Sequence, residues 1–192
     1  AILSTRRDLA RRRMIRSLDS RRYERFVDRF SRFLEFGPPK TFGPGKLPIT
    51  QVAPQIAGKR YKQFRALGDP INPASPAADY HTLRIAGKKL RYALEFVAPV
   101  YGPPLLEFSR GVTAIQDILG LHQDADVAID MLEAMARSDG RRLSPETLMA
   151  MGAISERYRT HAIELRGQVP AAYKALGNKP WGRVRKLMKS KI

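Results

Sequence analysis

Apolar residues recur every three or four positions along almost the whole chain, and few segments alternate with period two. That spacing presents one greasy stripe per helix and no half-buried strand, so the fold class is all-α, built from antiparallel helical bundles. Three stretches refuse regular structure: "FGPPKTFGPGKLPI", "GDPINPASPAAD" and "APVYGPP". Proline and glycine there remove amide donors or open the backbone, so each is a predicted break. Between the breaks the periodicity predicts helices over 3–18, from a cap at Asp19 or Ser20 through Phe36, and over 54–67 and 78–97. Further helices are predicted over 105–119 with Gly120 as a left-handed stop, over 124–138, and from Ser144-Pro145 to about Gln168, with a short piece over 170–176. The corresponding domain division is 1–70, 78–176 and a basic tail over 177–192.

Charge narrows the function. Lys and Arg number 35 against 18 Asp and Glu, a net charge of +17. Such an excess implies a polyanionic partner: nucleic acid, an acidic membrane surface or a phosphate polymer. The charge is also segregated. Residues 40–65 hold six cations and no acid, whereas 104–137 hold two cations and six acids. The absence of cysteine removes disulfides, thiol nucleophiles and thiolate metal sites, and suits a cytoplasmic protein. No apolar run approaches the roughly 18 residues of a membrane span.

The stretch "HTLRIAGKKLRYALEF", residues 81–96, concentrates this chemistry. On a helical wheel Leu83, Ala86, Leu90, Ala93, Leu94 and Val97 share one face, while His81, Arg84, Lys88, Arg91, Tyr92 and Glu95 share the other. Like charges one turn apart repel, and only Glu95 offsets them within the helix, so a ligand outside the helix is expected to do so. The guanidinium fork grips two phosphate oxygens, lysine acts as a mobile point charge, and a protonated histidine adds a donor. Lys89 lies on the shoulder of the stripe. Gly87, costly in a helix interior, points to a close helix–helix or helix–ligand approach. Further candidates are Arg22, Arg25 and Arg29, which flank the arc Tyr23, Phe26, Val27, Phe30, Phe33 and Leu34. Lys59 and Lys62 share a face of the third helix, with Arg60 set among apolar neighbours.

Two motifs in order carry a resemblance. His81, Arg84, Lys88, Leu90, Arg91, Tyr92 and Glu95 fit H-x-x-R-x-x-x-K-x-L-R-Y-x-x-E. Gln116, Asp117, Leu119, Gly120 and Asp124 fit Q-D-x-L-G-x-x-x-D. The chain thereby resembles the CHAD family, the conserved histidine α-helical domains. The resemblance implies two four-helix bundles related by a pseudo-twofold, with basic residues of both lining a groove for inorganic polyphosphate. It implies no catalysis, no cofactor, and a neighbouring or fused polyphosphate-metabolising or triphosphate-tunnel enzyme as partner. Association with polyphosphate granules follows from that ligand. His81, Arg84, Lys88 and Arg91 carry over as its binding residues. The family's earlier His-Arg-Lys helix has no counterpart before His81, so the first bundle is expected to be incomplete.

Other signals are weaker. "HQDAD" places His122, Asp124 and Asp126 close together without a zinc or calcium pattern, and the two acids read as a cap and first-turn acids. His161 reads as structural. No phosphate-cradling glycine loop, nucleophile elbow or H-E-x-x-H occurs. A polyphosphatase needs carboxylates to hold metal at the phosphate, and nothing in the sequence places Asp117 and Asp124 in a cleft. The competing function is general polyanion or nucleic-acid (DNA/RNA) binding. Against it, the aromatics read as core residues and not as a stacking platform. A third reading is a scaffold for a partner enzyme.

Overall fold

The computed structural model describes residues 2–37 and 46–190. Among them lie seven α-helices and no strand. They are α1 (Ile2–Leu18), α2 (Arg21–Phe36), α3 (Ile49–Gly68), α4 (Ala77–Tyr101), α5 (Pro103–Asp139), α6 (Pro145–Leu176) and α7 (Lys179–Lys189), with a 3₁₀ turn at Gly140–Arg142. Most of the proline-rich loop predicted between α2 and α3 lies outside the described residues. The chain divides into two compact units, Ala1–Leu47 and Pro48–Ile192.

The C-terminal unit is organised by tight turns. Gly102 takes φ +85°, a conformation closed to side-chain-bearing residues, and its N–H ends α4 on the Ala98 carbonyl at 2.7 Å. Pro103 and Pro104 then start α5 where an amide donor is not needed. One residue therefore folds α5 back along α4. Ser144 caps α6 as expected, accepting from the Thr147 N–H at 3.3 Å. The antiparallel course is fixed by cross-helix contacts: Tyr101 with the Thr50 carbonyl, and Arg166 with His122.

The four helices α3 to α6 close a core in which Phe64, Leu83, Leu90, Leu94, Leu105, Val112 and Ile115 are fully buried. Each such side chain contributes about 1.5–3 kcal/mol by leaving water. Gly87 serves helix packing: a Cβ there would lie 3.3 Å from Phe64 and 3.4 Å from Gln116. The predicted core face of α4 is borne out at Leu83, Ala86, Leu90, Leu94 and Val97.

Several expectations need correcting. The unit boundary falls at 47/48 and not near 70, because α3 buries Ala53, Ala57, Tyr61 and Phe64 in the C-terminal unit. Gly120 stops nothing, and Asp124 and Asp126 cap nothing. The buried seam Leu119, His122, Ala125 continues through them, and packing outweighs the roughly 1 kcal/mol helix cost of glycine. The helix after Ser144 likewise runs through Pro170 to Leu176. Residues 179–189 are not a solvated tail but a helix, whose Trp181, Val184 and Met188 are buried. The Trp181 ring stacks on Tyr61 at 4.1 Å, and the Tyr61 hydroxyl donates to Asn178 Oδ1 at 3.1 Å.

In the N-terminal unit Ser20 caps α2, accepting from the Tyr23 N–H at 3.3 Å. The aromatic arc of α2 is not core. Tyr23, Phe26, Phe30 and Phe33 stay 43–58% exposed, their rings following one another along the helix at 5.8–6.3 Å. Two helices bring no third layer to cover that face, and neither α1 nor α2 buries a residue.

Candidate functional site

The polar face of α4 meets α5 in an open cleft of about 500 Å³, lined by Arg84, Lys88 and Arg91 on one wall. Thr113, Gln116, Asp117, Gly120, Leu121 and Asp124 form the other. The two sequence motifs thus supply opposite walls of one feature. Their junction is Gln116, more than nine-tenths buried. Its Oε1 accepts from Arg91 Nε at 2.8 Å, and its Nε2 donates to the Arg84 carbonyl at 3.4 Å.

Arg91 is held from all sides. Its Nη1 pairs with Glu95 at 3.0 Å, Ser109 donates to the same carboxylate at 3.4 Å, and its guanidinium lies 4.5 Å from the Tyr92 ring centre. That fixes the fork before any ligand arrives. Arg84 and Lys88 are half-buried in the cleft, and their cationic groups have no ion-pair partner among the described residues. They are the cations free to meet an anion.

The remaining predicted residues stand elsewhere. His81 is exposed, its Nδ1 against Gln123 Oε1, and it does not line the cleft. Lys89, Lys59 and Lys62 are exposed outside it, and Arg60 bonds Gln63 at 3.1 Å. Arg22, Arg25 and Arg29 line a separate shallow concavity on α2 with Phe26, Phe30 and Phe33. His161 lies against Glu164 at 3.5 Å on the surface of α6.

Asp117 and Asp124, which nothing in the sequence places in a cleft, stand on its α5 wall, and Asp124 lies inside the helix and not at a cap. They face the cleft, and neither makes a hydrogen bond or ion pair. The cleft therefore sets three cations against two carboxylates, with Glu95 beside them. It is a mixed-charge site within a strongly basic chain.

One turn away lies a buried network that the sequence did not announce. The His122 ring is 2% exposed; Arg166 Nε donates to its Nε2 at 2.8 Å, and its Nδ1 faces Asp126 at 3.3 Å. Accepting at Nε2 requires the proton on Nδ1, so the neutral ring donates to Asp126. Burial, opposed by Asp126 and reinforced by Arg166, pushes the His122 pKa below its ordinary value. Both ring nitrogens are occupied, which leaves this histidine no lone pair for a metal. Tyr80 packs on the ring at 4.9 Å, so α4, α5 and α6 meet here.

The CHAD domain family matches residues 1–133, which carry both motifs and both walls of the cleft, and the chain belongs to that family. No curated protein matches the chain. Among the described residues no helix is long and apolar enough to cross a membrane.

Proposed function

We propose that this CHAD domain binds inorganic polyphosphate in the α4–α5 cleft and does not turn it over. The observation that carries this reading is the pair Arg84 and Lys88, half-buried in the cleft and without an ion-pair partner among the described residues. Arg91 supports it as a fork locked in place by Gln116 and Glu95. A linear polyanion lying along α4 would meet these cations at successive turns, replacing its counterions with fixed charge. The net charge of +17 draws the polymer in from a distance. Such a module would localise polyphosphate, or a partner enzyme of polyphosphate metabolism, to one another.

The test is a competition titration at near-physiological salt. Labelled long-chain polyphosphate is bound, then challenged with duplex DNA and RNA of matched charge. Resistance to displacement, together with loss of at least tenfold in affinity in Arg84→Ala/Lys88→Ala at unchanged helicity, is expected. Unchanged affinity in the double variant refutes the assignment of the cleft.

A second reading has its own observation. The exposed rings of Phe26, Phe30 and Phe33 alternate with Arg22, Arg25 and Arg29 on α2, the arrangement on which unpaired bases stack beside backbone-neutralising cations. Displacement of polyphosphate by single-stranded RNA at equal charge, abolished by Phe26→Ala/Phe30→Ala, would favour that reading.

A further inference from the structure

The two longest acid-free stretches of the sequence, between Glu35 and Asp69 and after Glu164, supply two helices that meet in the fold. One is α3 and the other α7, and neither contains a carboxylate side chain. They are held side by side by the Tyr61 ring stacked on Trp181 at 4.1 Å and the Tyr61 hydroxyl donating to Asn178. An eleven-residue helix as basic as α7 would not hold its shape alone in water. Burial of Trp181, Val184 and Met188 fixes it on the core, and Lys179, Arg185, Lys186 and Lys189 are left exposed. Lys59 and Lys62 are exposed on α3. None of these six cations makes a hydrogen bond or ion pair among the described residues. Arg185 and Lys186 each stand one turn from Lys189, so like charges repel with no acid in either helix to offset them. Arg183 is set apart from this array, in a pocket it shares with Glu107 of α5.

We propose that the exposed faces of α3 and α7 form a second anion-binding surface, which takes the backbone of duplex nucleic acid. The surface shares no residue with the α4–α5 cleft, and α7 lies beyond residues 1–133 of the family match, so this proposal does not rest on the polyphosphate reading. Charge complementarity selects the partner class, and what the two helices keep inside narrows it. Tyr61, Phe64 and Trp181 are buried, so no ring is offered for an unpaired base to stack on. Trp181, Val184 and Met188 are turned into the core, so α7 has no apolar wedge of the kind that seats an amphipathic helix in a lipid surface. What remains is charge on two rigid rods. Helices in contact lie about 8–10 Å apart. A single phosphate chain can follow one such row of cations, whereas the two phosphate rows of a duplex meet both rows together. Along α7, Lys179 to Lys189 span roughly 15 Å, a length over which a duplex carries about nine phosphates, enough to engage all six cations. Contacts of this kind hold the backbone and read no sequence.

The experiment measures the affinity of the full chain for a short mixed-sequence DNA duplex across a salt series. Each phosphate neutralised contributes about 0.9 to the slope of log K against log salt, so five or six contacts give a slope of about −4 to −5. In Lys62→Ala/Arg185→Ala/Lys189→Ala the slope is expected to flatten by about 2–3, with at least a tenfold loss of affinity at near-physiological salt. Alanine suits exposed helix positions, and unchanged helicity by circular dichroism shows that the variant is folded. The charge-matched control Arg141→Ala/Arg142→Ala/Arg157→Ala removes three exposed cations that lie on neither helix. It is expected to keep the wild-type slope and to stay within threefold in affinity. Equal losses in the two triple variants, the result that diffuse net charge would give, overturn the proposal, as does an unchanged slope in the first. Binding of a single strand as tightly as of the duplex, or tighter capture by vesicles of phosphatidylserine and phosphatidylcholine, overturns the choice of partner. Each of these outcomes leaves the polyphosphate assignment of the cleft to its own test.

Discussion

Replacing His122 tests whether the helices behind the cleft are held by one buried network. In His122→Ala, Arg166 loses its acceptor and Asp126 its donor. Hydrogen bonds involving a charged partner contribute about 1.5–3 kcal/mol each. The space left by the ring, beneath Tyr80, adds roughly 1–2 kcal/mol. Arg166 and Asp126 are partly exposed and recover some hydration, which brings the expected net loss to about 2–4 kcal/mol. In a chain of this size that corresponds to roughly 4–16 °C in Tm. The pH dependence gives an independent readout. The pKa of folded His122 lies below the unfolded value, so as pH falls through about 6.5 the unfolded chain takes up a proton that the folded protein refuses. This contribution is fully present above that pH and is lost below it, at up to about 1.4 kcal/mol per pH unit. The groups facing the ring are Asp126 on its own helix, Arg166 on α6 and Tyr80 on α4. His122→Phe keeps the volume and cannot titrate, so urea midpoints measured from pH 7.5 to 5 should fall less steeply in it than in the wild type. Taking the difference between the two proteins cancels His81 and His161. Parallel pH slopes, or a loss below about 1 kcal/mol in His122→Ala, would refute the network as drawn.

Two further outcomes test the packing. Gly120→Ala should stabilise the chain by about 0.5–1 kcal/mol, read from the urea midpoint, since the position is helical and no side chain or neighbouring helix comes within 4 Å of the added Cβ beyond the adjoining residues of its own turn. Trp181→Ala should cost about 3–5 kcal/mol, followed by circular dichroism. A basic tail free in solvent would lose almost nothing on the same change, so a small effect would undo the assignment of α7 to the core.

Amphipathic periodicity made α4 legible, because one helix face is apolar and the other charged whatever it packs against. Local signals failed where tertiary burial competed with them. Gly120 is a reasonable stop on α5 alone, yet Leu119, His122 and Ala125 bury a continuous seam against neighbouring helices, and continuing the helix keeps all three inside. Residues 179–189 were read by their cations, although Trp181, Val184 and Met188 at three- and four-residue spacing were there to be counted. The arc of α2 was read as core for the same reason that α4 was, and it differs only in having no cover within its own unit.

The walls of the cleft were within reach of the sequence through one residue. A single-glycine turn makes residues equidistant from Gly102 face each other across an antiparallel pair. Glu95 and Ser109 lie seven residues to either side of it, and His81 and Gln123 lie twenty-one; both pairs are in contact. By the same count Lys88 faces Gln116, with Asp117 next to it, and Arg84 faces Gly120. The two motifs are therefore one device: the turn sets their register, and the register decides which charges oppose. This also separates two roles that composition merges. The excess of cations lies largely outside the cleft, where salt screens it and where it governs encounter. Inside, three cations stand with two carboxylates, so the cleft differs from the rest of the surface in how its charges are arranged and not in their excess.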